Sequence, residues 1–136
     1  MGFMAWDDSL SIAVTMFDDE HKDLIQIVND LHDSFMRNAT RYELERICDR
    51  LIEHIVMHFR HEEMYFEDWQ YPDRVQHTAS HRQLRRQLVE YRAQILAAPP
   101  PDQAAELFAK LKIWLIQHIV NEDRKYGTFL VQRGLR

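Results

Sequence analysis

One pentapeptide, His58-Phe59-Arg60-His61-Glu62, constrains this chain more than any other stretch. It sits in a long run of helical periodicity whose apolar stripe reads Leu44, Cys48, Leu51, Ile55, then His58, Glu62, Phe66 and Trp69. Residues four apart share one face of an α-helix. His58 and Glu62 therefore fall at core positions where leucine is expected. A buried imidazole and a buried carboxylate are costly unless something pairs with them. A bound metal ion is one such partner, and the rest of the chain can be searched for further ligands.

The same periodicity recurs along the chain. A first helix is expected from Asp18, as N-cap, to about Arg37, with His21, Leu24, Val28, Leu31 and Phe35 on its stripe. Thr40 and Glu43 form a capping box for a second helix from about Arg41 to about Trp69. Pro72 breaks the pattern, and a third helix follows from about Asp73 to Leu96, with His77, His81, Leu84, Leu88, Tyr91 and Ile95 inward. After the linker Ala97-Ala98-Pro99-Pro100-Pro101, Asp102 can cap a fourth helix. That helix carries Leu107, Leu111, Trp114 and His118 and continues to about Val131. Only 3 glycines and 4 prolines are present, which argues against a fold rich in strands and tight turns. Four long helices with short loops predict an all-α, up-down-up-down antiparallel four-helix bundle. The 136 residues read as a single domain (1–136), an N-terminal arm over 1–17 and the bundle over 18–132.

That topology places His21, His58 with Glu62, His77 with His81, and His118 with Asp123 at one end of the bundle. Five imidazoles and two carboxylates exceed the four ligands of a structural zinc. They suit two metal ions with bridging carboxylates, and iron, manganese and zinc all accept such donors. His61-Glu62-Glu63-Met64-Tyr65 starts like a zinc-protease helix but has Tyr at the second histidine position. There is no Cys-x-x-Cys-His for covalent haem and no Glu-x-x-His pair of the ferritin-like di-iron bundles. His118 and Asp123 are five apart, about 140° around an ideal helix. A π-type bulge near Val120 to Glu122 would bring them onto one face.

Composition narrows the remaining classes. The net charge of −5 and the lack of a dense basic run argue against a nucleic-acid surface. Arg82, Arg85 and Arg86 read as a solvated helix face. No apolar run is long enough to span a membrane, and the N-terminus lacks the features of a signal peptide, so a cytoplasmic location is expected. The lone Cys48 lies on a core stripe and reads as a small buried hydrophobe. His54 and His61 flank the stripe of the second helix and read as surface or supporting residues. His32, eleven residues past His21, is too far along its helix to share a metal.

Asp18-x-x-His21, His58-x-x-x-Glu62, His77-x-x-x-His81 and His118-x-x-x-x-Asp123, in that order, resemble the hemerythrin family. The likeness spans about residues 6–130 and is to the single-domain bacterial members. It implies two iron ions with an oxo or hydroxo bridge. His77, His81 and His118 would hold one iron, His21 and His58 the other, and Glu62 and Asp123 would bridge them. Asp18 would orient His21. The resemblance implies reversible dioxygen binding by a non-catalytic carrier or store, with an oxygen pocket at Phe59, Trp114, Leu115, Ile119 and Tyr126. Plain core packing accounts for those five side chains as readily. An oxygen-consuming protein would be the partner. The alternatives are a di-iron enzyme that reduces peroxide or nitric oxide or oxidises iron, and an oxygen sensor.

Overall fold

Four amphipathic helices bury their apolar stripes against one another, up and down in turn. The structure, a computed structural model, describes residues 2–135. The helices are α1 (Thr15–Met36), α2 (Arg41–Asp68), α3 (Arg74–Leu96) and α4 (Pro101–His118). A five-residue π turn, Ile119–Asp123, joins α4 to α5 (Arg124–Gln132), so the fourth rod of the bundle is α4 and α5 together. No strand occurs among the described residues.

The helix ends follow from local chemistry. Thr40 Oγ1 accepts from Glu43 N at 3.2 Å and caps α2, half of the expected capping box; the return bond from Thr40 N to the Glu43 carboxylate is absent among the described residues. Helices α1 and α2 each close with a residue in the left-handed region, Asn38 (φ 59°) and Gln70 (φ 52°). In both, the next amide reaches back, Ala39 N to Ser34 O and Tyr71 N to Phe66 O, each at 2.9 Å. Ala98 (φ 52°) ends α3 in the same way, but Pro99 has no N–H to complete the motif.

Two expected starts are displaced. Helix α1 begins at Thr15, not at Asp18. The Asp18 carboxylate is not a cap: it accepts from Ile12 N at 2.8 Å and from Ser11 Oγ at 2.5 Å, tying the arm to the first turn. Helix α4 begins at Pro101, with Asp102 already inside its first turn. A proline at the first helical position costs little, since its missing N–H would have no helical partner there.

The arm is part of the core. Met4, Leu10, Ile12 and Val14 are buried. The buried Asn29 side chain grips Met4 at both backbone groups, at 2.7 and 2.8 Å. Gly127 of α5 lies against the arm so closely that a Cβ there would meet Ile12 O at 2.1 Å. Among the described residues no helix is long and apolar enough to cross a membrane.

Candidate metal centre

Two halves of the bundle core differ in kind. Away from the turn after α2, the core is apolar: Leu31, Cys48, Leu51, Leu88, Ile95, Phe108 and Leu111 are buried together. Toward that turn, the same stripes carry His21 (α1), His58 and Glu62 (α2), His77 and His81 (α3), His118 (α4) and Asp123 (π turn), all buried. The structure thus brings together all seven residues singled out in the sequence.

The five imidazoles direct Nε2 toward the two carboxylates. Asp123 Oδ1 lies 3.0 Å from His77 Nε2 and 3.1 Å from His118 Nε2, while its Oδ2 lies 3.1 Å from His21 Nε2. Glu62 Oε1 lies 3.2 Å from His58 Nε2 and 3.3 Å from His81 Nε2. His21 Nε2 and His58 Nε2 are 3.0 Å apart. The π turn supplies the extra residue that rotates Asp123 onto the face of His118, at the place the spacing of five predicted.

The donor atoms fall into two overlapping groups, each with its atoms within 4.8 Å of one another: Glu62, His77, His81, His118 and Asp123; and His21, His58 and Asp123. Several of these buried atoms lack a partner of hydrogen-bonding geometry among the described residues: Glu62 Oε1 and Oε2, His81 Nε2, His118 Nε2 and Asp123 Oδ2. Buried polar groups are rarely left so. Converging, unsatisfied imidazole and carboxylate donors fit a pair of cations of the kind that accept nitrogen and oxygen ligands.

Without metal the cluster is a knot of charges. Burial opposes the His58 imidazolium, but the Glu62 and Glu20 carboxylates outweigh it and raise His58 to about 10. Burial and the charge of Asp123 oppose the Glu62 carboxylate, yet His58 and His81 hold it at about 2. Burial also opposes the charged forms of His118 and Asp123, but each favours the other, so His118 moves well up and Asp123 well down.

Three further carboxylates stand behind the imidazoles, and sequence reasoning passed over them. Glu20 Oε1 is 2.5 Å from His58 Nδ1, Glu63 Oε2 is 2.9 Å from His81 Nδ1, and Glu122 Oε1 is 3.7 Å from His118 Nδ1. Each is the immediate sequence neighbour of a cluster residue, His21, Glu62 or Asp123, and that adjacency was the available signal. His61 supports Glu20 through Nδ1 at 2.6 Å, and His54 Nε2 donates to the Glu20 carbonyl at 2.8 Å. Asp18, engaged with the arm, does not reach His21, whose Nδ1 has no partner among the described residues. His32 stacks on Phe3, with ring centroids 4.2 Å apart, outside the cluster.

Phe59, Trp114, Leu115 and Ile119 line one small cavity of about 10 Å³ beside His21, His58 and His118. That is roughly the space of one water-sized sphere. Tyr126 does not line it. Beyond the π turn it packs instead against Phe17, Phe66 and Tyr71, and its hydroxyl donates to Glu62 O at 3.4 Å. On the other flank a wider groove of about 300 Å³, bounded by Tyr71, Ser80 and Glu122, reaches His77.

A family model described as the hemerythrin HHE cation binding domain matches residues 12–130. The chain belongs to the hemerythrin family. A bacteriohemerythrin of Methylococcus capsulatus is 31% identical over 132 residues, covering 96% of this chain and 98% of that protein. Another, of Pseudomonas aeruginosa, is 29% identical over 126 residues, covering 93% of this chain and 80% of that protein. The crystal structure of a wild-type hemerythrin matches with a TM-score of 0.81 at 30% identity, covering 94% of this chain and 98% of that one. The matched family is described as cation binding, and the His/Glu/Asp cluster at this end of the bundle could hold metal.

Proposed function

We propose that this protein binds dioxygen reversibly at a non-haem di-iron centre, as a carrier or store. In this reading His77, His81 and His118 would hold one iron and His21 and His58 the other, with Glu62 and Asp123 shared between them. The observation that carries it is the placement of the two carboxylates. Asp123 offers one oxygen to His21 and the other to His77 and His118, and Glu62 lies between His58 and His81. When bound, the metal pair supplies the two electrons that reversible dioxygen binding needs.

The protein's own residues do the rest. With both carboxylates shared, one iron would have five protein ligands and the other four, so the His21/His58 side would keep room for a ligand. The small cavity opens on that side, and its walls of Phe59, Trp114, Leu115 and Ile119 exclude bulk water. Neutral imidazoles donate less charge than carboxylates, which favours holding oxygen over activating it. An oxygen-consuming protein is the fitting recipient.

A di-iron enzyme is the second reading, and Glu20 and Glu63, hydrogen-bonded to His58 and His81, favour it. Carboxylates behind ligating imidazoles make them stronger donors and stabilise ferric iron. One titration separates the two. The protein is reduced without air, dioxygen is admitted, and it is then removed while the visible spectrum is followed. A charge-transfer band that appears with oxygen and vanishes on degassing supports the carrier. Oxygen consumption with no reversible band supports the enzyme.

A further inference from the structure

Glu20 contacts three histidines at once. Its two carboxylate oxygens take His58 Nδ1 at 2.5 Å and His61 Nδ1 at 2.6 Å, and its carbonyl takes His54 Nε2 at 2.8 Å. The side chain is nearly buried, 12% exposed, while that of His61 is 41% exposed. His21 follows Glu20 directly in the chain. One residue thus adjoins both imidazoles of the three-residue donor group.

A neutral imidazole has one N–H and one lone pair. With the N–H of His58 held on Nδ1 by Glu20, the lone pair is left on Nε2, which faces His21 and Glu62. His21 has no such anchor: its Nδ1 lacks a partner among the described residues. Phe17 packs edge-on to the His58 ring, with centroids 5.9 Å apart, but an apolar ring selects no tautomer. The orientation and tautomer of His58, one of the two imidazoles of that group, therefore depend on a single carboxylate.

We propose that Glu20 is a positioning residue that keeps His58 ready to ligate metal, so that filling of the His21/His58 position depends on it, with His61 holding Glu20 in place from the surface. The proposal rests on the di-iron reading. By the same geometry Glu63, 2.9 Å from His81 Nδ1, serves the other donor group. The two carboxylates should then act on different metal positions.

The test is anaerobic ferrous titration of the full chain, with iron counted per chain and affinities resolved for each position. Circular dichroism checks that each variant folds. The wild type should take two irons. Glu20→Ala should weaken one position on the order of 100-fold and leave the other within about 3-fold, since partners behind metal ligands are typically worth 10–100-fold in affinity. Glu20→Gln keeps an acceptor for His58 Nδ1 at nearly the same size, and should recover most of that loss. Glu63→Gln should weaken the opposite position. Should Glu20→Ala fail to fold, Glu20→Gln compared with Glu63→Gln decides the matter. Two irons bound with wild-type affinity in Glu20→Ala would overturn the proposal, as would Glu20 and Glu63 variants losing the same iron. A wild type that binds no iron would instead overturn the di-iron reading, and the role of Glu20 with it.

Discussion

The two ends of this bundle solve the same packing problem with opposite chemistry. At one end Leu31, Cys48, Leu51, Leu88, Ile95, Phe108 and Leu111 carry no polar atom but a weak thiol, and one histidine, His32, packs against Phe108 with its Nδ1 lacking a partner among the described residues. Burial pushes the Cys48 thiol up to about 11, so it stays protonated and inert. At the other end the same stripes present seven polar side chains, with five donor atoms left without hydrogen-bonding geometry among the described residues. The apolar end stabilises the fold by itself, through removal of apolar surface from water. The polar end costs stability until something binds there. The difference teaches where to look for function in a helical protein: at the place where a core stripe continues in register but changes chemistry.

The largest expected effect comes from breaking the polar end. His77→Ala removes the donor 3.0 Å from Asp123 Oδ1 and leaves a buried carboxylate short of a partner. Loss of one member of a buried pair costs on the order of 3–5 kcal/mol. Metal content and melting temperature should fall together, as elemental analysis and thermal unfolding would show; a stable, fully metallated variant would remove His77 from the site. At the apolar end Leu51→Ala should cost roughly 2–5 kcal/mol through the cavity it leaves. Metal per folded chain should stay at the wild-type value, and a drop would mean that the two ends are not separate.

Gly127→Ala touches neither end directly. Its Cβ would run into Ile12 O, so the arm must shift, at about 1–3 kcal/mol for such overpacking. Denaturant unfolding should report that loss, with iron still bound; loss of iron would make the arm part of the site. The smallest effect is one of pH, and it should appear only at the polar end. In the metal-free protein the raised His58 contributes stability that is complete below about 6.5 and disappears as pH rises through about 10. The lowered Glu62 contributes stability that is complete above about 4.5 and disappears as pH falls through about 2. Metal requires the neutral imidazole and so binds more tightly as pH rises. The gap in melting temperature between iron-loaded and metal-free protein should therefore widen from pH 6.5 to pH 9. A constant gap would contradict the pairing of His58 with Glu62.

Much of this was legible in the sequence, because periodicity is a strong signal. The four stripes gave the bundle, and the turn at Pro72 placed His58, Glu62, His77 and His81 at a common level. The spacing of His118 and Asp123 forced a helical defect, and the π turn Ile119–Asp123 is where it falls. Adjacent charges were harder to read. Glu20, Glu63 and Glu122 sit beside the stripe, where a charged residue is normally solvated, and only the approach of a neighbouring helix turns Glu20 and Glu63 inward. The same holds for His54 and His61, which flank α2 but engage Glu20 on α1. The start of α1 was misplaced because Asp18 has the composition of a cap, while its carboxylate serves the arm.

The measurement that tests the central claim most directly is the number of irons bound per folded chain after anaerobic reconstitution with ferrous salt. Two overlapping donor groups predict two, with no more than one retained when Asp123, the residue common to both groups, is replaced by alanine. A wild-type chain that saturates at one iron, or an Asp123→Ala chain that still takes two, would contradict the account.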